Sequence, residues 1–126
     1  MARILALDIG TRKTGVAFAD ESVGVALPLA TLRHDSPEDL LGQVLSLMEE
    51  RKAERLLVGL PLLPSGMEGT QAKLVREVVG KLEAAGVAVT LLDERYSNPR
   101  ENRQNDDVYA AWNLLNAFLG KEERGV

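Results

Sequence analysis

ILALDIGTRKTGVAFAD, Ile4 to Asp20, sets two apolar runs on either side of a short polar turn. Residues 3–8 and 14–19 each read as a strand, and Gly10-Thr11-Arg12-Lys13 between them reads as a tight hairpin turn. Asp8 closes the first run where a buried strand calls for another aliphatic side chain, and Gly10 follows two residues later. A carboxylate at a strand end, beside a residue without a side chain, lets a cation or a phosphate come near the backbone.

Outward from this hairpin, a third strand is expected over residues 27–32. Ser36-Pro37-Glu38-Asp39 is a helix start, with serine as the cap, proline in the first helical position and acids in the first turn. Leu40, Leu41, Val44, Leu45 and Met48 then recur at helical spacing. RLLVGLP, residues 55–61, is a buried strand stopped by glycine and proline. A loop with Pro64, Gly66 and Gly69 leads into a helix carrying Leu74, Val75, Val78, Val79 and Leu82, closed near Gly86. A fifth strand is expected over 87–94. The last helix carries Val108, Ala111, Trp112, Leu115, Phe118 and Leu119 on one face. The order is βββαβαβα. Opening hairpins followed by helices alternating with buried strands predict an α/β fold, a mixed five-stranded sheet flanked by helices.

Length and composition bound the rest. The 126 residues, 45 % of them apolar, are expected to form one domain, 1–126. No cysteine is present, which excludes a disulfide framework and thiolate chemistry. No signal-peptide pattern or membrane-length apolar run occurs, so the expectation is a cytoplasmic protein with no membrane partner. The net charge of −4 argues mildly against a coat for nucleic acid. Yet residues 20–50 alone hold seven acids and one base, while residues 1–19 come to +2 and 51–126 to zero. The acidity is confined to one segment, and the remainder is free to face phosphates.

Three acids fall where ligands collect in open α/β sheets, at strand ends and the starts of adjacent helices. Asp8 ends the first strand, Glu94 ends the fifth, and Asp107 opens the last helix. Clustered carboxylates suit a hard divalent cation, and two ions so held clamp both oxygens of a phosphoryl displacement. Each acid alone also fits an ordinary role. Asp8 fits a turn former, Glu94 a surface partner of Arg95, and Asp106 and Asp107 the charge preference of a helix N-terminus.

LALDIGTRKTGVAFAD, LLVGLPLLPSGMEGTQA, LLDERYS and DVYAAWNLL, in this order, resemble the sequence blocks of the YqgF/RuvX family. That family is described as pre-16S rRNA nucleases with a ribonuclease H-like fold, related to the Holliday junction resolvase RuvC. The resemblance covers nearly the whole chain. It implies hydrolysis of phosphodiester bonds in nucleic acid, with pre-rRNA favoured and branched DNA as the alternative, and with Mg2+ or Mn2+ as cofactor. Carried over by position, it places the catalytic and metal-binding acids at Asp8, Glu94 and Asp107. Asp106 lies one position off the spacing. Substrate contacts fall to Gly10, Thr11 and Arg95, with Arg100 and Arg103 nearby; Gly66, Thr70 and Gln71, in the loop leading into the middle helix, are expected to position substrate near that helix's N-terminus. Only residues 95–106 separate Glu94 from Asp107, a shorter stretch than relatives show, and Arg95, Arg100 and Arg103 are the cations left in it.

Other readings compete. LDIGT and the following strand also resemble the first phosphate-binding hairpin of sugar kinases and actin-like ATPases, which need two such domains. A binding module that has lost activity is the third reading. A junction resolvase requires two active sites and hence a homodimer, whereas a monomer suffices to cut single-stranded RNA. His34, the single histidine, is expected at the surface, and Trp112 in the core.

Overall fold

The computed structural model describes residues 2–93 and 107–124, and within the last stretch the side chains of 108–120. β1 (Arg3–Ile9) and β2 (Lys13–Asp20) form the hairpin, paired antiparallel from Arg3↔Asp20 to Ile9↔Thr14. β3 (Val25–Arg33) continues the meander and starts two residues earlier than the sequence predicts. Its register shifts where Val16 faces Ala30 and Ala17 faces Pro28, leaving Leu29 as the extra residue of a bulge. Pro28 is tolerated because β3 forms the outer edge of the sheet.

α1 (Pro37–Arg51) begins as its sequence dictates. The Ser36 side chain caps it by accepting from the Asp39 N–H at 3.1 Å, and Pro37 fills the first turn. It ends at Lys52, whose φ of 55° is left-handed. β4 (Arg55–Leu60) then pairs parallel with β1, and α2 (Thr70–Ala84) leads to β5 (Val89–Asp93), parallel with β4. α3 (Asp107–Arg124) closes the order βββαβαβα. The sheet runs β3-β2-β1-β4-β5, the mixed arrangement expected from the sequence.

Period-two alternation divides the core between the two faces of this sheet. Leu5, Leu7 and Ile9 of β1 and Leu56, Val58 and Leu60 of β4 pack against α1 and α2. Leu40 and Val44 of α1 and Val75, Val78, Val79 and Leu82 of α2 complete that side. Each such fully buried leucine contributes about 2 kcal/mol relative to its exposed state. The opposite face is lined by smaller side chains, Ala6, Ala17, Ala19 and Ala26 with Ile4 and Leu57, and covered by Ala111, Leu114 and Leu115 of α3. Alanines at these positions let the helix lie close to the strands. Trp112 belongs to this packing, as the sequence predicts, and its indole N–H donates to the Ala26 carbonyl at 2.9 Å.

His34 departs from expectation. It is buried, with 6 % of its surface exposed. Its backbone N–H donates to the Arg12 carbonyl at 3.0 Å, which draws the residue after β3 against the β1–β2 turn. Among the described residues, no helix is long and apolar enough to cross a membrane.

Candidate metal and nucleic-acid site

Asp8 lies near the C-terminal end of β1, half-buried. Its neighbours Ile4 and Ala6, at the same alternation phase, face α3, so Asp8 projects from the α3 side of the sheet. The residues beside it are glycines. Gly15 is its partner on β2. On the other flank Leu7 pairs with Val58, so Gly59 follows on β4 at the level of Asp8, and Gly59 in turn pairs with Leu92 of β5. Residues in register on a sheet share a face. The row Gly15–Asp8–Gly59 therefore sets one half-buried carboxylate between two buried positions without side chains. The sequence shows both glycines, but only the register sets them on either side of Asp8.

The turn after β1 is closed by the Gly10 N–H donating to the Lys13 carbonyl at 2.9 Å. A β-carbon on Gly10 would stand 2.6 Å from that same carbonyl oxygen, so a side chain is excluded here by the turn itself. Thr11, Arg12 and Lys13 at its tip are exposed. Two cations thus sit a few residues from Asp8, on a turn fixed at its base.

That base is held by side chains from two other segments. Thr14 Oγ1 and His34 Nε2 are 2.8 Å apart in a buried hydrogen bond. Burial pushes the imidazole pKa below its usual value, against the opposing pull of the Asp39 and Asp35 carboxylates and the Lys13 backbone. On the β4 side, Gln71 of α2 donates its side-chain amide to the Ile9 carbonyl at 2.7 Å. The loop between β4 and α2 is itself braced. Leu62 bridges Glu68, the Leu63 N–H donates to the Met67 carbonyl at 2.9 Å, and Glu68 holds Arg76 through two contacts of 2.7 Å.

β5 ends at Asp93, on the same sheet edge as the end of β1, because β1, β4 and β5 are parallel. Glu94, Arg95, Arg100 and Arg103 lie outside the described residues. Asp107 is the first residue of α3, the helix covering the face from which Asp8 projects, and its side chain likewise lies outside the described ones. Among the described residues no three histidine, aspartate or glutamate side chains are grouped to hold an ion. The donor chemistry fits a hard cation at Asp8, whose carboxylate oxygens are the ligand type that Mg2+ and Mn2+ prefer.

Comparison with known proteins adds a lineage to this geometry. Residues 2–121 match the model of the RuvX family, described as Holliday junction resolvase. A Chloroflexus aurantiacus protein named "Putative pre-16S rRNA nuclease" is 40 % identical over 75 % of this chain, a match that spans 63 % of that protein's length. A Desulforudis audaxviator protein of the same name is 33 % identical over 98 % of this chain and 97 % of its own. Among solved structures, Thermus thermophilus RuvC superposes with a TM-score of 0.55 at 17 % identity, covering 89 % of this chain and 81 % of that one. That likeness shows a shared fold.

Proposed function

This chain belongs to the RuvX family, and from that premise we propose that it is a cytoplasmic nuclease hydrolysing phosphodiester bonds with Mg2+ or Mn2+ held by Asp8, Glu94 and Asp107. The observation that carries the reading is the half-buried Asp8 between Gly15 and Gly59, at the sheet edge where β1, β4 and β5 all end. A bound divalent ion supplies charge stabilisation for the phosphoryl transition state and activates water. The chain's own contribution is to place carboxylates around the ion and keep room beside Asp8 for a phosphate. Gly10 and Thr11 are proposed to lie against the substrate. Arg95, Arg100 and Arg103, with Arg12 and Lys13, are proposed to contact its backbone. With four per cent aromatic residues the protein has little surface for stacking bases, so recognition rests on phosphates and shape.

The favoured substrate is pre-16S rRNA, near its 5′ end; the relatives are named for pre-16S rRNA alone. The second reading is resolution of branched DNA, favoured by the description of the matching family; it calls for a homodimer, whereas trimming RNA is served by a monomer. A cleavage assay with Mn2+ that offers single-stranded RNA, duplex and a four-way junction side by side separates them. Preferential cleavage of RNA supports the first, and symmetric junction cleavage by a dimer replaces it with the second.

A further inference from the structure

We infer that Gln71 is a positioning residue for this site: its side-chain amide stands in for a backbone donor that Pro61 cannot supply, and so fixes the end of β1 that carries Asp8. The inference rests on the reading of Asp8 as a metal ligand, and it starts from the β1 ladder. The Glu21 N–H donates to the Ala2 carbonyl and the Gly10 N–H to the Lys13 carbonyl. Even-numbered residues of β1 therefore turn their backbone groups toward β2, and Arg3, Leu5, Leu7 and Ile9 turn theirs toward β4.

Along the β4 side the pairing ends at Leu7↔Val58, which takes the Leu7 carbonyl to the N–H of Gly59. The next rung would bring the Ile9 carbonyl to the N–H of residue 61. That residue is proline and has none. The vacant donor position is filled from another element. Gln71, in the first turn of α2, donates Nε2–H to the Ile9 carbonyl at 2.7 Å in a partly buried contact. α2 is a firm base for this, since Ala72 and Val75 next to Gln71 are fully buried. The bond lies one residue past Asp8, so it sets where the last turn of the strand points.

Removing the donor leaves the ladder below Leu7 intact and frees the segment from Asp8 to the turn. Loss of a group that hydrogen-bonds a metal ligand directly lowers metal affinity or activity by about 10–100-fold; Gln71 braces the residue after Asp8, so the lower end of that range is expected. The test compares the parent, Gln71→Met, which keeps length and volume but not the donor, and Gln71→Met with Pro61→Ala, which returns a backbone N–H to the missing rung. Mn2+ affinity is read by calorimetric titration, amide hydrogen exchange over residues 8–13 is read without metal, and kcat and KM are read on RNA.

The inference predicts faster exchange over 8–13 in Gln71→Met, Mn2+ affinity reduced about tenfold, and kcat lowered with KM unchanged. It also predicts partial recovery of Mn2+ affinity in the double variant. Unchanged exchange, or unchanged Mn2+ affinity in Gln71→Met beside a parent that binds Mn2+, overturns it. A parent that binds no Mn2+ overturns instead the metal reading of Asp8, while faster exchange in Gln71→Met then still upholds the clamp on β1.

Discussion

Thr14 Oγ1 and His34 Nε2 meet 2.8 Å apart beneath the β1–β2 turn, tying the residue after β3 to the strand that pairs with Asp8. The bond is buried, and burial disfavours the charged imidazole. An unfolded chain takes up the proton near the ordinary value of 6.5, while the folded state resists until lower pH. Stability is therefore fully present above about pH 6.5 and declines as pH falls from there toward the folded value. Glu38 and Glu68, held below their usual 4.5 by hydrogen bonds from Lys81 and Arg76, lose their contribution only at lower pH. Denaturation curves between pH 7.5 and 5 should show declining stability for the parent and a flatter profile for His34→Gln. Parallel profiles would contradict the buried neutral histidine.

Gly10 is the second test of the turn. Since a β-carbon there meets the Lys13 carbonyl oxygen at 2.6 Å, Gly10→Ala must push backbone against backbone. The expected cost is about 1–3 kcal/mol in urea unfolding, with cleavage reduced because the turn next to Asp8 is displaced. A variant as stable as the parent would show that the turn opens freely.

A third prediction concerns α1, far from the proposed chemistry. The Ser36 hydroxyl accepts from the Asp39 N–H at 3.1 Å. Ser36→Ala should lower stability by about 1 kcal/mol and leave Mn2+ affinity unchanged. A change in Mn2+ affinity would reveal a link between α1 and Asp8 that the fold does not supply.

The parts of this fold legible in the sequence are those fixed by neighbours in the chain. Ser36-Pro37 announces α1, the alternation of residues 3–8 and 14–19 announces the hairpin, and the apolar run after Arg55 announces β4. What cannot be read there depends on partners distant in sequence. The start of β3 is obscured because Val25 and Leu27 are exposed on an edge strand and Pro28 and the Leu29 bulge break its alternation. His34 follows that strand into an acidic segment, a setting that suits a solvent-facing side chain; the Arg12 carbonyl and the Thr14 hydroxyl, about 20 residues earlier, enclose it. In the site, Asp8 stands out as an acid in an apolar run. Its glycine neighbours emerge only from strand register, and the Gln71 contact, 62 residues from Ile9, only from the docking of α2 beside the sheet.

The cationic stretch offers a fourth prediction. Replacing Arg100 and Arg103 by alanine should weaken RNA binding and lower the salt slope by about 1 for each phosphate that is no longer neutralised. Binding measured across a salt series checks this. An unchanged slope would assign the phosphate contacts elsewhere, with Arg12 and Lys13 as the cations on the turn beside Asp8.

The central claim is that Asp8 holds the divalent ion that cleavage requires, and one paired measurement tests it most directly. Parent and Asp8→Asn are titrated with Mn2+ while thermal unfolding and cleavage of single-stranded RNA are followed in the same samples. If Asp8, Glu94 and Asp107 cluster as proposed, removing one carboxylate relieves their repulsion, and metal-free Asp8→Asn should be at least as stable as the parent. Mn2+ should then raise the melting temperature of the parent, do markedly less for the variant, and support cleavage by the parent alone. Equal thermal shifts in both proteins, or cleavage retained by Asp8→Asn, would contradict the claim.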